Sequence, residues 1–146
     1  MGSLPWEQTS GSTLTLPVKT RFLFSLTIPG DPIPKGRPRF TLSGRTYTPE
    51  RTRVAESTIR TVARRDGIRA ASGPLFVAAA FYMKPPQKRS KDFPTHRPDV
   101  DNLIKMLDAL NGIAFKDDAQ IVGMMPFKLW SDGDPYTKLS FYQVTL

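Results

Sequence analysis

The patterned part of the chain begins at Arg21, after which Phe22, Phe24, Leu26 and Ile28 occupy alternate positions. A two-residue period puts all four on one side of an extended backbone, so 21–28 reads as a strand with one apolar face. The next segment, "PGDPIPKGRPR", is dense in Pro and Gly and predicts an irregular loop. Ser43-Gly44 then separates two short β-favourable runs, which predicts a hairpin. Thr48-Pro49-Glu50 offers a capping hydroxyl, a proline suited to the first helical position and an acid favoured in the first turn. Beyond it the period becomes helical, with Val54, Ala55, Ile59 and Val62 assigned to an apolar side. Arg53, Arg60 and Arg64 form a stripe on the opposite side, and Asp66-Gly67 predicts the helix end.

Residues 74–83, "PLFVAAAFYM", are a continuous apolar run of strand length and predict a central strand buried on both faces. Residues 84–98 hold five cations and four prolines without apolar periodicity, which predicts a basic loop. Leu103, Leu107 and Leu110 recur at i, i+4 and i+7 with Ile104 beside them, so a second helix is expected between Pro98 and Gly112. Two strands complete the chain, near 120–130 and 137–146, with "SDGDP" as the turn between them. Pro126 marks the first of these as an edge strand or a bulged one. The order is β, β-hairpin, α, β, α, β, β. It predicts a single α+β domain over 21–146, with a mixed sheet and two main helices, behind a flexible Ser/Thr/Pro-rich leader over 1–20.

Composition narrows the function. A chain of 146 residues with 39% hydrophobic content supports one core. It contains no apolar run long enough for a membrane span and no secretory signal pattern. The absence of cysteine excludes disulfides and thiolate metal ligands, and the expected location is the cytoplasm. A net charge of +8 points to a polyanion, and nucleic acid fits better than a membrane surface. Candidate phosphate contacts are Arg53, Arg60 and Arg64 on the helix, with Lys88, Arg89, Lys91 and Arg97 in the basic loop. For any single arginine a solvated face explains the charge equally well. His96, the lone histidine, is assigned no chemistry, and Phe93 either stacks on a base or packs on the domain.

Against this positive background, five of the thirteen acidic residues fall within 97–122: Asp99, Asp101, Asp108, Asp117 and Asp118. Each has an ordinary use when taken singly. Aspartates cap helices, Asp101 and Lys105 stand at ion-pair spacing, and Asp117-Asp118 fits a turn. Taken together, Asp-x-Asp at a helix start and Asp-Asp at a strand entrance converge if helix and strand are neighbours. Clustered carboxylates repel one another, and a divalent cation relieves that cost. Oxygen donors without cysteine select Mg²⁺, Mn²⁺ or Ca²⁺ over zinc. Beside a basic surface such a cation faces a phosphodiester, which makes metal-assisted hydrolysis the natural reaction class, with Lys105 placed to stabilise developing charge.

The stretches "PDVDNLIKMLDALNGIAFKDDAQIV" and "IPGDPIPKGRPRFTLSGRTYTPE" closely resemble the RusA family of Holliday junction resolvases, endodeoxyribonucleases often carried by phages and prophages. The resemblance extends over about 21–146 and includes the order of elements. It implies a dimeric α+β enzyme acting in DNA recombination and repair. Such an enzyme binds four-way DNA and makes paired symmetric nicks with Mg²⁺ or Mn²⁺ and no organic cofactor. The implied metal set is Asp99, Asp101 and Asp118, with Asp117 as an auxiliary and Lys105 as the required lysine. Lys35, Arg37 and Arg39 of "KGRPR" match a basic motif assigned to DNA contact. The chain departs from the family pattern by one fewer residue between Lys105 and Asp108, which leaves Asp108 outside the set. Two other readings stay open: a nuclease acting on flaps or other branches, and a non-catalytic DNA-binding module with structural carboxylates.

Overall fold

A computed structural model describes residues 16–88 and 91–146. Most of the expected leader, and Arg89 of the basic loop, lie outside the described residues. The elements are β1 (Lys19–Pro29), β2 (Arg39–Phe40), β3 (Thr46–Tyr47), α1 (Glu50–Arg65), β4 (Leu75–Met83), α2 (Val100–Ile104), β5 (Ile121–Trp130) and β6 (Tyr136–Thr145). Four strands form one sheet in the order β1-β6-β4-β5, and β2 and β3 make the separate hairpin expected around Ser43-Gly44. The sheet is mixed: β6 runs antiparallel to both β1 and β4, whereas β5 runs parallel to β4. Strands consecutive in sequence, β5 and β6, are therefore not neighbours, and β4 lies between them. Pro126 sits on the edge strand β5, where its missing N–H does not interrupt the interior of the sheet.

Two parallel neighbours need a long crossover, and residues 84–120 supply it between β4 and β5. All five clustered aspartates lie on that connection. The position of the acidic stretch is thus a consequence of sheet topology.

The core forms on one face of the sheet. Leu75, Val77, Ala79, Phe81 and Met83 of β4 meet Leu26 and Ile28 of β1, and Leu139 and Phe141 of β6. Ile59, Val62 and Ala63 cover them from α1, and Leu103, Met106, Leu107 and Leu110 from the acidic segment. Each such large side chain contributes about 1.5–3 kcal/mol by leaving water. The other face of β4 is only half-buried, so the strand alternates, contrary to the expectation of burial on both faces. Helices pack on one side of this sheet alone, and that leaves the alternation visible.

Three further expectations change. Val54 is 59% exposed and not part of the apolar side of α1, which buries Thr52, Ile59, Val62 and Ala63. The Thr52 hydroxyl accepts a hydrogen bond from Gly36 N–H at 2.9 Å, so a polar residue occupies the inward position. Two residues on, Val54 stands about 200° round the helix. Pro49, not Thr48, takes the N-cap position, with no side-chain capping bond. The second helix is α-helical only over Val100–Ile104 and tightens to a 3₁₀ helix over Lys105–Leu110. Leu103, Met106 and Ala109 are all buried at a spacing of three, the repeat that eclipses side chains in a 3₁₀ helix.

Candidate metal and nucleic-acid site

Asp99 occupies the N-cap position of α2 in extended conformation. Its backbone carbonyl accepts from Asn102 and Leu103 N–H, each at 3.1 Å, while its carboxylate makes no capping bond. Asp101 follows in the first turn. Both are exposed, and among the described residues neither carboxylate has a hydrogen-bond or ion-pair partner. The ion pair that spacing permits between Asp101 and Lys105 does not form. Lys105 Nζ donates instead to Asn102 Oδ1 at 3.2 Å, three residues back, as the tightened turn favours. Two unpaired carboxylates thus stand at the helix start, ahead of an exposed lysine held by an amide.

The loop before Asp99 is held from β5. Lys128 Nζ donates to the backbone carbonyls of His96 at 2.7 Å and Pro98 at 3.0 Å. Trp130 Nε1 donates to Lys91 O at 3.0 Å, and its ring stacks with that of His96 at 5.7 Å. His96 is therefore an aromatic partner of Trp130. Pattern reading missed Lys128 and Trp130 because both sit in an ordinary strand run. A lysine on the strand's inward-facing register was the available signal.

At the other end of the crossover, Asp117 and Asp118 precede β5 through a short 3₁₀ turn, Asp118–Gln120. Asp117 caps it: its carboxylate accepts from Ala119 N–H at 2.9 Å, and Gln120 Oε1 accepts from Asp117 N–H at 3.1 Å. This reciprocal pair completes a capping box. The Ala119 N–H, and then a hydrogen bond from Asp118, hold the Asp117 carboxyl below its ordinary value. Asp118 is pushed the other way, first by that shared bond, then by desolvation and by the negative charges of Asp117 and Asp108.

Asn111 ties the two halves together. Its Oδ1 accepts from Asp118 N–H at 3.0 Å, and its Nδ2 donates to Asp108 O at 3.3 Å. In the sequence Asn111 reads only as a helix stop, so this staple was missed.

Asp108, left outside the implied metal set, adds its negative charge to that of Asp117 in raising Asp118. It also forms a 2.8 Å ion pair with Lys35, whose backbone N–H donates to Asn102 O at 3.4 Å. The basic segment around Lys35–Arg39 is thereby held across the acidic helix. Arg37, Arg39, Arg53, Arg64, Lys88 and Arg97 are exposed and carry no ion pair among the described residues. Arg60 pairs with Glu56 at 3.1 Å, and Lys91 Nζ bonds Thr95 Oγ1 at 3.0 Å. Phe93 is 55% exposed.

The donor chemistry fits a hard divalent cation: carboxylate oxygens without competing partners at Asp99 and Asp101, and a like-charge cluster around Asp118. These groups do not close into a cage, for among the described residues no three acidic or histidine side chains meet at metal-binding range. All five aspartates are exposed to solvent. A groove of about 490 Å³ between the β1 exit and α1, lined by Ile33, Arg51, Val54 and Met106 among others, contains none of the five aspartates. A carboxylate site on open surface suits a polymer better than a small molecule. Among the described residues no helix is long and apolar enough to cross a membrane.

A family model described as Endodeoxyribonuclease RusA matches residues 29–140 of the chain. An uncharacterized protein of Bacillus subtilis (strain 168), YqaN, is 28% identical over 136 residues, an overlap spanning 82% of this chain and 95% of that protein.

Proposed function

The chain belongs to the RusA family of endodeoxyribonucleases, and from that premise we propose that it resolves four-way DNA junctions by paired symmetric nicks, as a Mg²⁺-dependent homodimer. The observation that carries the reading is the pair of unpartnered carboxylates, Asp99 and Asp101, beside Lys105 and under a basic segment. A helix start with no capping bond from its N-cap aspartate forgoes about 1 kcal/mol of local stability, which makes sense for a side chain reserved for a ligand.

Asp99, Asp101 and Asp118 would hold the divalent ion, with Asp108 and Asp117 shaping the field around Asp118. When bound, the ion supplies Lewis-acid polarisation of the phosphodiester and a more acidic water. Lys105, steadied by Asn102, offers a positive charge to the negative transition state. Arg37, Arg39, Arg53 and Arg64 grip phosphates on either side, which positions DNA with little dependence on base sequence. A four-way junction has two-fold symmetry, and two coordinated cuts require two related sites, hence the dimer. The cytoplasm, the compartment of a phage or bacterial chromosome, is the proposed location.

End-labelled four-way junction, incubated with the protein and Mg²⁺ or with chelator, tests the proposal. Paired nicks at symmetric positions in the Mg²⁺ reaction alone are expected. Equal cleavage in chelator, or cutting of flaps in preference to junctions, would sink the metal requirement or the substrate assignment respectively.

A further inference from the structure

The hairpin between Arg39 and Tyr47 presents apolar surface where a folded domain gains nothing from it. Leu42 at its tip is 111% exposed, more than in an extended peptide, Phe40 is 76% exposed and Tyr47 is 46% exposed. The tip is nonetheless fixed. Thr41 N–H donates to Arg45 O at 2.8 Å, Gly44 N–H to Thr41 O at 2.9 Å, and Arg45 N–H to Thr41 Oγ1 at 3.0 Å. The Thr41 and Ser43 hydroxyls share a bond of 2.9 Å. Gly44, at φ +84°, takes the left-handed conformation that closes the turn. An apolar residue on a preformed turn keeps its shape in water, so a partner meets it without ordering cost.

The surroundings identify the partner. Between Lys35 and Pro49 the chain contains Lys35, Arg37, Arg39 and Arg45 and no acidic residue. The base of the hairpin is fastened beside the carboxylates by the Lys35–Asp108 ion pair and by Gly36 N–H on Thr52 Oγ1. A Cβ at residue 36 would stand 2.7 Å from Thr52 Oγ1 and 3.1 Å from Pro49 Cγ, so glycine permits this close approach. From Gly36 to Leu42 an extended chain reaches at most about 20 Å, the rise of roughly six base pairs. A cationic stalk with an apolar tip, anchored that near the carboxylates, matches DNA whose bases are open at the point of contact. A second copy would bring the same unbalanced positive charge and be repelled.

We propose that this hairpin is a wedge: Leu42 and Phe40 insert between unstacked bases at the branch, while Arg37, Arg39 and Arg45 hold the flanking phosphates. The inference rests on branched DNA being the substrate, and it adds the element that engages the branch. Because Leu42 and Phe40 touch no core, their replacement leaves the fold intact.

A four-way junction carrying 2-aminopurine at the branch reads base unstacking directly. The experiment uses the full chain in chelator, so that binding proceeds without cutting. The unaltered protein is expected to raise the fluorescence of the branch base but not that of the same base in duplex. The L42S/F40S variant is expected to lose that rise while its junction affinity stays within about threefold, because phosphate contacts carry affinity. A rise in the variant equal to that of the unaltered protein overturns the wedge, as does binding by the unaltered protein without any rise. Conversion of a dimer to a monomer by L42S/F40S, seen in sedimentation, overturns it in favour of a self-association arm. Failure of the unaltered protein to bind the junction overturns the substrate reading itself and this inference with it.

Discussion

The two acidic pairs of the crossover look alike in sequence and are built differently. Asp99 and Asp101 stand at the start of α2 with both carboxylates unpartnered. Asp117 and Asp118 stand at the start of β5, where Asp117 is committed to a capping box and the Asp118 carboxyl, close to it, is pushed above its ordinary value. The first pair leaves its helix start uncapped and its charge unbalanced, while the second closes its own turn. Local architecture is therefore organised around one member of the second pair and neither member of the first. Asp99, Asp101 and Asp118 are the three carboxylates proposed to hold the metal.

Substitutions can break or sharpen that contrast. The largest effect is expected from D101N or D118N, each lowering the rate of junction cleavage by at least about a hundredfold, equivalent to ~3 kcal/mol of lost transition-state stabilisation. Junction affinity and Tm should be unchanged in gel-shift and melting experiments, since neither carboxylate supports the fold. A D118N protein that cuts at the normal rate would place Asp118 with Asp117 as a turn residue.

Next comes K105A, expected to cost about a hundredfold in rate by removing one positioned positive charge, with the helix intact. Among the described residues its only bond is to Asn102, so unfolding of K105A in a melting curve would reassign it as structural.

A smaller effect is expected for K128M. Lys128 holds the carbonyls of His96 and Pro98, just before Asp99, and its loss should loosen the loop that aims this carboxylate. Half-maximal cleavage should need about tenfold more Mg²⁺, recovered in part by K128R, while D118N should not respond to added metal.

The smallest change is expected for D117N. Asparagine caps as well as aspartate, so rate should stay within about threefold of the unaltered protein and Tm within error. D117A should lose a small but measurable part of its stability in denaturant unfolding, with little change in rate. A D117N protein as defective as D118N would erase the contrast between the two members of the pair.

Much of the fold was legible because its signals are local. Alternation at Phe22–Ile28, the apolar run at 74–83 and the Gly44 turn each act within a few residues, and each element formed, although a bulge between Phe22 and Phe24 turns Phe22 off the expected apolar face and β4 is buried on one face only. The errors came where a distant group occupied a local position. Thr52 faces inward because Gly36 donates to it, and this displaced Val54 from the core. The acidic helix tightened after Ile104, where Met106, Leu107, Ala109 and Leu110 are all buried in the core. Asn111, Lys128 and Trp130 were invisible for the same reason, since their partners lie 7 to 39 residues away.

Residue type and spacing by themselves determined the family, the α+β class, the excess of positive charge and the five carboxylates concentrated within 97–122. These are properties of the chain that survive any folding. Tertiary structure alone decided that β5 lies parallel to β4, and so that the acidic stretch is a crossover with one pair of aspartates at each end. It also decided which carboxylates are unpartnered. A hydrogen bond to a residue far along the chain exists only once the sheet brings both ends together, and no spacing rule encodes it. Asp108 shows the limit most clearly: a one-residue departure in the motif set it apart, and the fold placed it between Lys35 and Asp118.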